Sequence, residues 1–74
     1  MEYESIEIVP HDRIEFDYMN WKGDKAKRRV EVGEFHYGSN EYHKEPQWLM
    51  DAYDLDKKLY RMFAMKDMSN IKRI

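Results

Sequence analysis

The chain has 74 residues, which is the length of one small domain. It contains no cysteine, so disulfides and thiolate chemistry are excluded, and stability must come from packing or from a partner chain. With 38% charged residues and a net charge of −2, the composition argues against a protein that coats nucleic acid non-specifically, since such proteins are usually strongly basic.

The sequence shows no sign of membrane insertion or export. It has no long apolar run, and residues 1–5 lack the basic and apolar regions of a secretory signal. We therefore expect no membrane contact and a cytoplasmic location in the producing or host cell. No cofactor or metal is expected, because His11, His36 and His43 are scattered and have no cysteine partners.

Alternation of apolar and polar residues predicts strands in the first half of the chain. A short strand is predicted around residues 6–8, and Pro10 ends it at a turn. The clearest alternation is IEFDY at residues 14–18, which predicts a half-buried strand. Residues 20–24, which include Gly23, form the predicted hairpin connection.

The next strand changes register along its length. Val30 and Val32 have one parity, whereas Phe35 and Tyr37 have the other, and Gly33 lies between them. A β-bulge at or near Gly33 would bend the strand and return the two aromatic residues to the inner face.

The second half predicts a further hairpin and a short last strand. A polar loop at residues 38–46 precedes WLMDAYD at residues 48–54. A charged turn then leads to LYRMFAM at residues 59–65, and residues 66–70 could form one helical turn. In all, the pattern predicts one mostly β domain over residues 1–74, with at most one short helical turn. A small five-stranded barrel of the SH3 or Sm kind fits this length best.

Two segments and their spacing carry a family resemblance. WLMDAYD at residues 48–54 and YRMFAM at residues 60–65 resemble the Trp-Tyr-Leu strand and the Arg-x-Phe strand of bacterial WYL domains. IEFDY at residues 14–18 and RRVEV at residues 28–32 are similar to the first two strands of that family. The likeness covers roughly residues 13–72.

The resemblance implies an Sm-like, SH3-type barrel with a regulatory, non-enzymatic role. WYL domains usually follow a DNA-binding helix-turn-helix, which this chain lacks, and are thought to sense nucleotides or nucleic-acid ligands. Some occur beside CRISPR or phage-related systems. The chain departs from the family at four positions. Leu49 and Met50 replace the Tyr and Leu of the triplet, Val32 replaces a Pro, and Asp67 replaces a late basic residue.

A basic run at the first hairpin is the main candidate site; it consists of Lys22, Lys25, Lys27, Arg28 and Arg29. These cations could contact phosphates, and the nearby rings of Tyr18 and Trp21 could stack on bases. The alternative is a solvated hairpin tip that protects the strand edges from other chains. Alternation places Lys27 and Arg29 on the face opposite the two valines.

Arg61 shares its parity with Phe63, which places its guanidinium on the core side near one end of a barrel. It could clamp a carboxylate or phosphate, or it could form an internal ion pair with Glu31, Asp51 or Asp54. Trp48 is expected in the core rather than on a binding face.

The favoured hypothesis is a non-enzymatic module that binds a nucleotide or single-stranded nucleic acid. Its candidate residues are Arg28, Arg29, Arg61, Lys25, Lys27, Tyr18 and Trp21. The alternative is a protein-interaction or assembly module, a homodimer or an accessory of a phage or defence system, because the core is small and the six methionines make adaptable surfaces. A third and weaker hypothesis is a small phosphoester-processing enzyme, since the chain has no recognisable catalytic motif.

Overall fold

The structure is a computed structural model that describes residues 8–41 and 43–74 and shows a mostly β protein. The five strands, in chain order, are β1 (Arg13–Met19), β2 (Lys25–Gly38), β3 (Gln47–Asp54), β4 (Leu59–Ala64) and β5 (Met68–Arg73). A single 3-10 turn, Met65–Asp67, separates β4 from β5. All five strands form one antiparallel sheet in the order β4-β3-β2-β1-β5.

The strands predicted from residue 13 onward are confirmed. The single helical turn is also present, but it lies at Met65–Asp67 rather than at residues 66–70, so the last strand begins earlier than predicted. The strand predicted around residues 6–8 falls largely outside the described residues, and Ile8 itself is not in a strand. No helix in the described part of the chain is long and apolar enough to cross a membrane.

The hairpin of β1 and β2 follows from the period of two. Ile14, Phe16 and Tyr18 are buried on one face of β1, as predicted. The connection closes through hydrogen bonds at Asn20, whose side-chain oxygen accepts the backbone N–H groups two and four residues later. Gly23 has a φ of 85°, a conformation that side chains with a Cβ rarely adopt.

The predicted bulge in β2 is confirmed. Pairing between β2 and β3 shifts register between Val32 and Phe35. At Gly33 the two strands approach so closely that a Cβ atom would lie 2.8 Å from the carbonyl oxygen of Asp51. Beyond the bulge Phe35 packs against the core, whereas Tyr37 stays largely exposed.

The sheet curls until β4 contacts β1, although these strands are not neighbours in it. The ring of Phe63 packs edge-on against Phe16 and Tyr18, with centroid distances of 5.2 and 4.9 Å. The Tyr18 hydroxyl accepts the buried N–H of Ala64 at 3.0 Å. β4 and β5 do not pair with each other in the described sheet, so it remains open along this seam.

The core is small and lies on the inner, concave face of the sheet. Its members are Ile14, Phe16, Tyr18, Val30, Val32, Met50, Ala52 and Phe63. Asp54 is also buried, and its Oδ1 accepts the N–H groups of Asp56 and Lys57 in the turn after β3, as a turn-forming residue does.

The expectation that Trp48 is core is wrong, because its side chain is 56% exposed. Trp48 pairs with Tyr37 beyond the end of the core.

Substitution of Gly33 tests the close approach at the bulge. We expect Gly33→Ala to lower the free energy of unfolding by about 1–3 kcal/mol, because backbone must shift to admit the methyl group. Gly38→Ala is the control, since a Cβ there meets nothing within 4 Å. Equal urea midpoints for the two variants would contradict the role assigned to Gly33.

Removal of one hydroxyl tests the contact across the seam. Tyr18→Phe keeps the ring but leaves the buried Ala64 N–H without its acceptor, which costs about 1–3 kcal/mol of unfolding free energy. Tyr60→Phe removes a hydroxyl from an exposed side chain and serves as the control. Urea denaturation that gives the same loss for both variants would show that the hydrogen bond is unimportant.

Candidate functional site

The basic run of β2 divides between the two faces of the sheet. Arg28 lies on the inner face because it shares the parity of Val30 and Val32. Lys27 and Arg29 lie on the outer face, as the alternation predicted, opposite Asp17 and Glu15 of β1. One run of cations therefore supplies two separate surfaces.

On the outer face a single carboxylate holds three cations. Glu15 is only 6% exposed, although alternation places it on the polar face of β1. Lys27, Arg29 and Lys72 lie around it with N···O distances of 3.5, 3.2 and 3.2 Å. The structure thus places Lys27 and Arg29 in an internal ion-pair cluster, away from the inner face.

These contacts change the acidity of the carboxylate. The pKa of Glu15 is held below its ordinary value, chiefly by the hydrogen bond from Lys72 and against the opposing effect of burial. The positive charges of Lys27 and Arg29 act in the same direction as Lys72. The three cations therefore favour the ionised form of the Glu15 carboxylate, and the cluster stabilises the sheet.

On the inner side a groove opens between the β1–β2 hairpin, the loop after β2, and β4. Its volume is about 600 Å³, within the usual range for ligand sites. The lining residues are Tyr18, Asn20, Trp21, Arg28, Asn40, His43, Leu59, Tyr60, Arg61, Met62 and Phe63. Four of the seven residues predicted for the site meet here: Arg28, Arg61, Tyr18 and Trp21. Lys25, Lys27 and Arg29 do not line this groove.

The groove carries positive charge that the protein does not neutralise. No carboxylate is among its lining residues, and neither Arg28 nor Arg61 has an ion-pair partner within residues 8–41 and 43–74. The Nε–H of Arg28 is shielded from solvent and has no acceptor in that part of the chain. An anion in the groove would supply this acceptor.

The three acidic residues considered as partners of Arg61 have other contacts. Glu31 pairs with Arg13 at 3.4 Å. Asp51 lies 3.9 Å from the imidazole of His36. Asp54, as described above, accepts hydrogen bonds within its own turn. The internal ion pair considered for Arg61 is therefore not formed with any of them.

Aromatic residues line the groove with the two arginines. Trp21 is 78% exposed and Tyr60 is 80% exposed. The Tyr60 ring packs edge-on against its cross-strand partner Tyr53, with centroids 4.9 Å apart, on the face of the sheet opposite Arg61, whose partner Ala52 is in the core. The Tyr18 ring is buried, and burial together with the negative charge of Asp67 raises the pKa of its phenol, against the opposing effects of the Ala64 hydrogen bond and the two arginines. Tyr18 is therefore a neutral hydroxyl at physiological pH, and its proton can be donated.

The loop after β2 forms the remaining rim. Asn40 accepts the backbone N–H of His43 through its side-chain oxygen at 2.7 Å, and its amide contacts the sulfur of Met62 at 3.0 Å. These contacts join the loop to β4. Sequence reasoning missed Asn40, His43 and Tyr60 because no local pattern marks residues that meet only through the fold.

Comparisons with known proteins add no assignment. No protein-family model matches the chain, and no curated protein or solved structure matches it. Within the described residues no group of three or more His, Asp or Glu side chains is placed to hold a metal ion.

The acid limb of the stability curve tests the Glu15 cluster. A carboxylate with a lowered pKa stabilises the native state above its ordinary pKa of 4.5, and this contribution is lost as the pH falls through the lower native value. We expect Glu15→Gln to be less stable than the native chain at neutral pH. The free energy of unfolding of this variant should also fall less steeply as the pH is lowered below 4.5. Urea midpoints over a pH series measure both effects.

Glu34→Gln is the matched control, because Glu34 is exposed and forms no ion pair in the described part of the chain. The assignment would be overturned if the two variants gave the same pH dependence.

Proposed function

We propose that this chain is a WYL-like regulatory module that binds a nucleotide or single-stranded nucleic acid in the groove, without catalysis. The observation that carries the proposal is the convergence of Arg28 and Arg61, neither of them paired within the described residues, on a cavity that no carboxylate lines and that the exposed Trp21 also lines. Cations and flat apolar surfaces are the two features that phosphates and bases require.

The phosphate would lie between the two arginines. A guanidinium presents N–H donors in a planar fork that matches phosphate oxygens in two-point contacts. Arg28 is the better anchor, because its Nε–H is already shielded from water and needs an acceptor. Arg61 is exposed and can adjust to the position of the anion.

A base would stack on the exposed ring of Trp21. This ring offers a large apolar surface on a groove that already holds two positive charges. Stacking of a base on an aromatic side chain contributes about 1–3 kcal/mol and tolerates any base. Recognition of this kind favours broad rather than sequence-specific binding.

An SH3- or Sm-like barrel and membership of the WYL family belong to the same proposal. Four consecutive antiparallel strands, a 3-10 turn and a fifth strand that returns to β1 support the barrel interpretation. The contact of Phe63 with the rings of β1 brings the far strand back across the core. Asp67 stands where the family has a basic residue, so Arg28 and Arg61 would supply the positive charge here.

A second candidate is an assembly module, and the open edges of the sheet favour it. β4 and β5 each have one side without a strand partner in the described sheet, and Leu59 and Tyr60 are exposed on β4. Strand pairing with another copy or with a partner protein would cover such an edge. Light scattering over a concentration series distinguishes this candidate, which requires association without any ligand.

Salt dependence of binding to oligothymidylate tests the favoured function. If the one phosphate between the two arginines is neutralised on a single strand, the slope of log Kd against log salt is about 0.7. We expect Arg28→Ala or Arg61→Ala to lower the slope and to weaken binding about 10- to 150-fold. Fluorescence anisotropy of a labelled oligonucleotide measures both.

Two further variants make the test specific. Arg28→Lys should keep the slope but lose affinity, because an ammonium group cannot make the two-point contact. Lys25→Ala removes an exposed cation outside the groove and should change neither quantity appreciably. Absence of binding at low salt, or equal effects of Lys25→Ala and Arg61→Ala, would refute the proposed function.

A further inference from the structure

The cationic groove is one end of a longer depression. A neighbouring cavity, of about 350 Å³, shares Trp21 and His43 with it. That cavity in turn shares Gln47 and Lys66 with a third, of about 780 Å³, at the hairpin end of β2 and β3. The three cavities are therefore neighbours in a row, and each shares two lining residues with the next.

The far end of this depression exposes a second pair of aromatic rings. Tyr37 is 62% exposed and packs edge-on against Trp48, with centroids 5.6 Å apart. Both residues line the third cavity, together with Phe35, Met65 and Lys66. Two exposed aromatic rings that contact each other beside a cavity form an apolar patch, which is typical of a contact surface.

We propose that the Tyr37–Trp48 pair is a second base-binding site, which stacks a further nucleotide of the single strand whose phosphate is held by Arg28 and Arg61. This inference rests on the proposed function and extends it, because it makes the ligand an oligonucleotide rather than a mononucleotide. The order of the cavities supports the assignment, since the middle cavity shares lining residues with both sites and lies between them.

The charges differ along the depression, so its two ends would bind different parts of a nucleotide. The middle cavity is balanced, because Lys44 and Lys66 are accompanied by Glu45 and Asp67. The far cavity has one cation, Lys66, which also lines the middle cavity beside Asp67, whereas Arg28 and Arg61 share a cavity that no carboxylate lines. Binding at the far end therefore depends more on stacking and should respond less to salt than binding at the Arg28–Arg61 end.

The side chain of Gln47 supplies a polar group between the middle and the far cavity. It lines both the middle and the far cavity, and its side-chain oxygen is buried with no hydrogen-bond donor among the described residues. A base carries amino or imino N–H groups that could donate to this oxygen. A purely apolar ligand would leave it unsatisfied, which costs free energy.

The test compares ligands of increasing length on the intact chain. Calorimetry with thymidine monophosphate and with oligothymidylates up to the hexamer should show affinity that rises with length and then levels off. Trp48→Ala should weaken hexamer binding about 5- to 140-fold, which corresponds to one lost stacking contact. The same variant should leave the affinity for the monophosphate unchanged, and Trp48→Phe should retain most of the hexamer affinity.

Met19→Ala is the matched control, because Met19 is an exposed apolar residue of β1 that lines none of the three cavities. Oligouridylates of the same lengths show whether RNA and DNA are bound alike. The salt slope of hexamer binding should be the same for Trp48→Ala and the native chain.

The outcomes separate this inference from the proposed function. If the monophosphate and the hexamer bind equally well, the second site is refuted and the first survives. An equal effect of Trp48→Ala on both ligands also refutes the second site, since a single site then explains the data. If no nucleotide or oligonucleotide binds at low salt, both proposals fail.

Discussion

The contact between Tyr18 and the end of β4 is the interaction on which the rest of this structure depends. β1 and β4 are separated by two strands in the sheet, so no ladder hydrogen bonds hold them together. The ring of Phe63 against those of Phe16 and Tyr18, and the hydrogen bond from Ala64, draw them together. This contact curls the sheet over its small core, and it also brings Arg61 of β4 to the same groove as Arg28 of β2.

The bulge at Gly33 supplies the bending that this contact needs. A strand of 14 residues is long for so small a sheet, and without a change of register it would run past the core. The missing side chain lets β2 and β3 approach closely at Asp51, and the residues after the bulge return to the inner face. Both Phe35, which packs against the core, and the exposed Tyr37 owe their position to this one irregularity.

Much of the fold could be predicted because its signals are local. Alternation identified the buried face of β1, and the change of parity around Gly33 predicted the bulge. The same rule separated Arg28 from Lys27 and Arg29. Prediction failed where neighbours come from distant parts of the chain. A tryptophan in a small domain is expected in the core because of its large ring. Trp48 instead lies beyond the end of the core and is more than half exposed.

The candidate site was only partly accessible from the sequence for the same reason. Its arginines and two of its rings were expected from a basic run and a strand parity. Tyr60, His43 and Asn40 join them only through the curvature of the sheet and the loop contact with Met62. Glu15 shows the converse, because three cations from two strands bury a carboxylate that alternation assigns to solvent.

The open seam has a consequence for how occupancy and folding are linked. A ligand that contacts Arg28 and Arg61 together spans the same gap that the Tyr18 hydroxyl bridges. While bound, it would hold the first hairpin and β4 together. A free ligand concentration of about a hundred times Kd would raise the free energy of unfolding by about 2.7 kcal/mol. For a domain with so small a core, that is a large share of the total, and the empty and loaded forms would differ markedly in lifetime within the cell.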